Sequence, residues 1–232
     1  MTETTLVGLT PLPSGYGTLR LHVPNLAGVA APGHHVQLGS QAWPLINAST
    51  DHGWIELFHP QPNFADQPEA SMPRGSNIEL GPLQGTPIDP TKLSLPAVLI
   101  ADINGLASTI FLLTRAPIAV RRQCLVFLQA DDAFPFYPRP SLFMLPGVPP
   151  STTGCAPLCE DMRVPSRLAS ESGLPGCYTG SVADLLDGWL RLRGRGMVPQ
   201  PHVYAFCADQ LAHHISLVAA NWEAQFHRHP LS

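Results

Sequence analysis

The first 90 residues alternate apolar and polar positions in short runs that are separated by turn residues. In the run TLRLHV, Leu19, Leu21 and Val23 fall on one face, and polar residues fall on the other. This period of two predicts a half-buried strand. Similar runs predict strands at His34–Leu38, Trp54–His59 and Gly75–Leu80. Several short strands at this spacing predict a small antiparallel β-barrel over residues 1–92.

The pattern changes in residues 93–232, where continuous apolar runs alternate with helical periodicity. Apolar runs predict strands that are buried on both faces at Pro96–Ala101, Cys124–Gln129 and His202–Cys207. Helical spacing predicts helices at Thr109–Arg115, Val182–Leu192 and Asp209–Phe226. The Pro- and Gly-rich 130s to 170s are typical of long connections. Together these elements predict a second domain with a parallel, Rossmann-like α/β sheet.

Composition narrows the possible functions. The chain is 44% hydrophobic and 13% charged, which indicates a globular protein with much buried surface. The net charge of -4 and the absence of a basic run argue against a nucleic-acid partner. No apolar run approaches the roughly 20 residues that span a bilayer, and no basic region precedes an apolar one at the N-terminus. A cytoplasmic location without membrane association is therefore expected.

The cysteines and histidines give no metal signature. Five cysteines without an export signal indicate thiols rather than a disulfide framework. Cys155 and Cys159 lie four apart in a Pro/Gly-rich loop, but two further ligands at close spacing are missing. The adjacent His213 and His214 would point in different directions on a helix. We expect the ten histidines to be surface or packing residues and predict no metal site.

Six short motifs, taken in order, resemble those of the ferredoxin–NADP⁺ reductase superfamily. The resemblance is strongest to the electron-transfer subunit of dihydroorotate dehydrogenase. The motifs are Ala31–Leu38, Trp43–Ile46, Gly81–Gly85, Asp102–Ser108, Gly176–Val182 and Cys207–Asp209. The resemblance implies a flavin-binding barrel followed by an NAD(P)-binding domain, with FAD or FMN as a possible cofactor. It implies a catalytic role near a nicotinamide for Cys207. It also implies cofactor contacts at Trp43, Pro44, Leu45, Gly81, Pro82, Gly105, Thr179 and Gly180.

The sequence departs from the family pattern where cofactor chemistry would occur. Trp43 replaces an arginine that binds the flavin phosphate in the family; it could be a barrel-surface or interdomain aromatic, or could stack on a ligand ring. Asp102 and Ile103 replace the glycines at which the backbone approaches the nucleotide. Asp102, Asn104 or Ser108 could instead cap the following helix. An iron–sulfur centre is not expected, because no cysteine follows Cys207.

These departures leave three hypotheses for function. The first is a protein of oxidoreductase ancestry with eroded flavin and NAD(P)H motifs, weak or absent hydride transfer and doubtful NAD(P)H binding. Such a chain would be retained to bind a protein partner or a second copy of itself. The main alternative is a functional flavin-dependent NAD(P)H electron-transfer oxidoreductase. A third possibility is a small-molecule sensor that uses the cleft at the switch point of the sheet.

Overall fold

The first half of the chain folds into a curled, antiparallel half-barrel. The computed structural model describes residues 2–194 and 199–230. The seven described strands are β1 Thr2–Pro11, β2 Gly17–His22, β3 His35–Leu38, β4 Gln41–Ser49, β5 Trp54–His59, β6 Asn77–Leu80 and β7 Leu83–Gln84. Their order is β6-β1-β2-β5-β4-β3-β7, with a short helix α1 (Pro24–Ala27) after β2. Alternate residues such as Leu19, Leu21 and Leu57 fill its core.

The second half forms a parallel α/β sheet with helices on both faces. Its strands are β8 Ala97–Ala101, β9 Cys124–Gln129, β12 Ser166–Ser170, β13 Tyr178–Thr179, β14 His202–Phe206 and β15 Gln225–Arg228, and a separate ribbon joins β10 Arg139–Pro140 to β11 Gly154–Cys155. Its helices are α2 Ile103–Arg115, α3 Ile118–Arg121, α4 Pro157–Asp161, α5 Val182–Arg193 and α6 Asp209–Asn221. The strand order is β13-β12-β9-β8-β14-β15, and every neighbouring pair is parallel.

The predicted fold class is confirmed, whereas several element boundaries were wrong. Helix α2 begins at Ile103 rather than Thr109, because the Asp102 side chain caps it. The last helix ends at Asn221 and not at Phe226. Glu223 turns the chain there with a φ of 60°, and Phe226 then lies in β15. Among the described residues, no helix is long and apolar enough to cross a bilayer.

Helix α2 connects the two halves. On one side it packs against β8 and β9 through Leu106 and Ile110. On the other side Phe111, which is fully buried, belongs to the core of the half-barrel. The Arg115 guanidinium also donates a hydrogen bond of 3.0 Å to the carbonyl oxygen of Ala48 in β4. The two halves therefore meet through packed side chains.

Candidate functional site

A cavity of about 250 Å³ lies where the half-barrel meets the α/β sheet. We call it the interdomain cavity. Polar side chains without a permanent positive charge dominate its lining: His34, His35, Gln41, Gln61, Thr86, Asn104, Ser108 and His229, together with apolar groups that include Pro44, Ile88 and Phe206. Imidazoles, amides and hydroxyls can hydrogen-bond a neutral heterocycle from several sides.

Two adjacent histidines sit in the wall of the interdomain cavity. His35 is only 8% exposed; its Nε2 lies 3.2 Å from Oε1 of Gln84, and its Nδ1 has no hydrogen-bond partner. Nδ1 of His34 accepts a hydrogen bond of 3.1 Å from the backbone N–H of Ala31. Burial lowers the pKa of His34, and the neighbouring His35 lowers it further. His34 is therefore neutral near pH 7 and has no positive charge with which to pair with a phosphate.

A second, larger cleft of about 900 Å³ opens at the carboxyl ends of the parallel strands. We call it the strand-end cleft. Four carboxylates line it, from Asp102, Asp131, Glu171 and Asp184, and neither lysine nor arginine is among its described lining residues. Helix α6 contributes an apolar wall that includes Leu217. Its electrostatic field therefore favours cations over anions.

One carboxylate in this cleft binds the N-terminal ends of two helices. Oδ1 of Asp102 accepts a hydrogen bond of 3.0 Å from the backbone N–H of Gly105 in the first turn of α2. Oδ2 accepts another, of 2.9 Å, from the N–H of Ala208, the N-cap residue of α6. Helix N-termini are ready sites for anions because their first N–H groups lack partners within the helix. Asp102 thus supplies an anion from the chain itself to both helices.

The side chain of Trp43 points into the core of the half-barrel, contrary to our expectation. Trp43 lies neither on the barrel surface nor at the interdomain face: it is 1% exposed, and its ring centroid lies 4.6 Å from that of His59 in the barrel core. Leu45 is also buried in that core. Strand alternation directs Pro44 and Ala42 to the opposite face, where both line the interdomain cavity.

The other residues predicted to contact a cofactor lie in separate parts of the structure. Gly105 packs so tightly that a Cβ there would lie 1.7 Å from the carbonyl oxygen of Phe206, so helix–strand packing alone requires glycine. Gly81 and the exposed Pro82 lie outside the described lining of both cavities, and the Gly81 N–H bonds to the Gln37 carbonyl oxygen. Thr179 and Gly180 lie at the edge strand β13, just before Ser181, which lines the strand-end cleft.

The cysteine predicted to act near a nicotinamide is a buried thiol. Cys207 is almost fully buried at the end of β14. Burial raises its pKa to about 12, with a further contribution from the nearby Asp102. It is therefore protonated, and unreactive as a nucleophile, at neutral pH. Cys155 and Cys159 are likewise buried, and no group of three potential metal ligands occurs in the described parts of the chain.

Sequence reasoning missed a group of stacked rings beside the interdomain cavity. The histidines near the C-terminus were expected to be surface or packing residues, and His227 and His229 do pack: they stack on the side chains of β14. The signal in the sequence was the alternation of His202, Tyr204 and Phe206, which places all three on one face of the strand.

The architecture is shared with solved reductases. A parallel α/β sheet after a curled antiparallel sheet matches a ferredoxin–NADP⁺ reductase from Neisseria gonorrhoeae with bound FAD and NADP, at a TM-score of 0.60 and 10% identity, over 98% of this chain and 97% of that one. The chain has the ferredoxin–NADP⁺ reductase fold. No family model matches the sequence, and no curated protein matches it.

Two further structures support the reductase fold. An NADH-dependent reduced ferredoxin–NADP oxidoreductase, studied for flavin-based electron bifurcation, matches at a TM-score of 0.66 and 13% identity, over 97% of this chain and 75% of that chain. A cytochrome P450 reductase from Amycolatopsis matches at 0.63 and 16% identity, over the whole of this chain and 71% of that chain. These similarities establish the fold and leave the activity to be argued from the site.

FAD and NADP, which the Neisseria gonorrhoeae reductase binds, differ in how well they fit the two cavities of this chain. The strand-end cleft does not fit a pyridine nucleotide, because Asp102 already binds the two helix N-termini and the described lining lacks a lysine or arginine for the phosphates. The interdomain cavity fits a neutral heterocycle such as a flavin ring, since it offers hydrogen-bonding groups and Pro44. The described lining of this cavity contains no arginine or lysine, so a flavin phosphate would have no cationic side chain to bind there.

Proposed function

We propose that this chain is a reductase-fold subunit that binds a protein partner, or a second copy of itself, and transfers little or no hydride from NAD(P)H. In this proposal the chain resembles the electron-transfer subunit of dihydroorotate dehydrogenase, with eroded cofactor motifs. The supporting observation is the Asp102 carboxylate on the N-terminal ends of α2 and α6. A chain that fills the anion site with its own side chain has no such site left for a dinucleotide.

Electrostatics support this proposal. Two like unit charges about 4 Å apart repel by about 4 kcal/mol at the effective dielectric constant of a protein surface. A diphosphate in the strand-end cleft would meet Asp102 and, farther out, Asp131, Glu171 and Asp184. None of these four carboxylates forms an ion pair with a described lysine or arginine. The repulsion from one such carboxylate is therefore about as large as the roughly 4 kcal/mol that corresponds to millimolar affinity.

The alternative is a functional flavin-dependent NAD(P)H oxidoreductase. The interdomain cavity favours it, because His35, Gln41 and Asn104 could hold the polar edge of a flavin ring and Pro44 could contact its apolar part. A bound flavin would supply hydride and single-electron chemistry. In this alternative the protein would accept electrons from a donor that does not enter the strand-end cleft, or would bind NAD(P)H after rearrangement around Asp102.

Titration calorimetry with NADH and NADPH, together with absorption spectra after addition of FAD or FMN, separates the two proposals. We expect NAD(P)H affinity weaker than about 1 mM for the wild-type protein. Affinity should rise when the cleft carboxylates are neutralised by Asp131→Asn, Glu171→Gln and Asp184→Asn. A matched control neutralises exposed carboxylates elsewhere by Asp51→Asn, Asp66→Asn and Glu79→Gln, and should leave affinity unchanged.

Two results would contradict the proposed function. The first is micromolar NADPH binding by the wild-type protein followed by reduction of a bound flavin. The second is elution as a monomer at every concentration, with no protein retained by tagged wild-type chain. Flavin uptake without NAD(P)H binding would support a subunit that carries flavin but receives its electrons elsewhere.

A further inference from the structure

Five rings form a continuous stack across β14 and β15. His202, Tyr204 and Phe206 of β14 face His227 and His229 of β15. The centroid distances are 5.3 Å for His202–His227, 4.5 Å for Tyr204–His227 and 5.0 Å for Phe206–His229, with interplanar angles of 25°, 15° and 5°. Flat, close rings in this arrangement add stabilisation beyond the area they bury.

A histidine–histidine hydrogen bond closes one end of the stack. Nδ1 of His202 lies 3.1 Å from Nε2 of His227. Such a bond needs one imidazole nitrogen that carries a proton and one that does not. If both rings are protonated, both nitrogens carry a proton, so the bond is lost and two positive charges face each other. The contact is therefore compatible with at most one proton charge on the pair.

The stacked rings hold the strand that closes the interdomain cavity. β15 is the edge strand of the sheet and pairs only with β14 among the described strands. The last backbone bond of this pairing runs from the N–H of His229 to the carbonyl oxygen of Ala205, at 3.0 Å. His229 and Pro230 both line the interdomain cavity. Release of β15 would thus remove one wall of that cavity.

Other titratable groups pack nearby without neutralising the stack. On the α6 side of the sheet, Arg228 pairs with Asp209, while His213 and His214 are exposed. The Tyr204 hydroxyl accepts a hydrogen bond from the N–H of Ser94.

Across the cavity lie His34 and His35, which add no negative charge. Within the described residues, no carboxylate lies within ion-pair distance of His202, His227 or His229.

We propose that β15 is a pH-sensitive clamp, in which protonation of its histidines releases the strand and opens the interdomain cavity. This inference concerns access to the cavity and does not depend on which ligand, if any, the cavity binds. It would make ligand entry or release more favourable in acidic surroundings.

The direction of the pH effect follows from burial. Burial lowers the pKa of His227 from 6.5, and His202 lowers it further. Burial also lowers the pKa of His229, with a contribution from His227. Above pH 6.5 the rings are largely neutral in both the docked and the released strand, so docking is strongest. As pH falls below 6.5, the released strand takes up protons that the docked strand resists, and release becomes more favourable.

Hydrogen–deuterium exchange tests the clamp on the full chain between pH 5.0 and 7.5, after correction for the intrinsic exchange rate. We expect protection of the β15 amides to fall about tenfold from pH 7.5 to 5.5, because a released imidazole with the ordinary pKa of 6.5 is protonated about ten times more often than it is neutral at pH 5.5. Protection of the central strand β8 should stay constant. His202→Gln with His227→Gln should remove most of the β15 response. The matched control, exposed His52→Gln with His213→Gln, should retain it.

The proposal is overturned if β15 protection in the wild-type protein does not depend on pH, or if the double glutamine variant responds like the wild type. A measurement on the unaltered protein covers the case in which that variant does not fold. NMR titration of the imidazole ring protons should place the pKa of His227 below 6.5, and a value at or above 6.5 would also overturn the proposal. Neither result depends on NAD(P)H or flavin binding, so the proposed function can fail independently.

Discussion

Replacement of Asp102 by alanine should destabilise the protein by about 2–3 kcal/mol. Loss of a helix N-cap side chain costs about 1 kcal/mol, and this change removes the bond to the Gly105 N–H. A hydrogen bond to a charged group is worth about 1.5–3 kcal/mol. The bond to the Ala208 N–H is of this kind but is exposed to solvent, so we use the lower end of that range. For a chain of this size each kcal/mol lowers Tm by about 2–4 °C.

Urea unfolding followed by tryptophan fluorescence measures this loss by linear extrapolation. Asp131→Ala is the matched control, because Asp131 lines the same cleft and accepts hydrogen bonds through its backbone carbonyl only. We expect that control to change the free energy of unfolding by less than about 0.5 kcal/mol. Equal losses in the two variants, or a loss below about 0.5 kcal/mol for Asp102→Ala, would refute the claim that Asp102 holds the two helices together.

Three further results are expected. Gly105→Ala should cost about 3 kcal/mol or more in urea unfolding, because the new methyl group would overlap the Phe206 carbonyl oxygen; a loss below about 1 kcal/mol would show that the helix can shift freely. Trp43→Ala should cost about 3–5 kcal/mol by the same assay, as for other large core residues, whereas a surface or ligand-stacking residue would cost little. A chromogenic disulfide reagent at pH 7.5 should leave all five buried thiols unmodified in the folded protein and label them in urea; rapid reaction of Cys207 in the native state would contradict its raised pKa of about 12.

Part of the fold could be predicted because the spacing of apolar residues along the chain shows directly which positions are buried. The predicted strands Trp54–His59 and Cys124–Gln129 match β5 and β9 residue for residue. The first is enclosed by neighbouring strands in the half-barrel, and the second is covered by helices on both faces, as its continuous apolar run indicated. The local sequence pattern is enough to predict a strand when the burial of each residue depends only on its position in that strand.

Strand β12 could not be predicted, since its polar residues are satisfied by distant segments. All five residues of Ser166–Ser170 are buried, yet three are polar. Ser166 accepts a hydrogen bond from the Ala156 N–H, and Arg167 donates to the Phe143 carbonyl oxygen. The sequence around 130–175 was therefore interpreted as a long connection, although it contains β12, an inner strand of the sheet.

The candidate site shows the same limit. The helix-capping role of Asp102 was among the predicted alternatives because capping is local. Its second bond, to Ala208, spans 106 positions of sequence and could not be read from spacing. The inward orientation of Trp43 depends on which face of β4 turns toward α2, which a nine-residue strand does not reveal by itself.

Phe111 makes the folding of each half depend on the other. It follows the junction in sequence but fills the core of the half that precedes it. A fragment ending near residue 92 would leave a hole in that core, and the complementary fragment would present a bare aromatic ring to water. Neither piece is expected to hold its shape alone, so heat should melt the chain in a single calorimetric transition despite its two sheets.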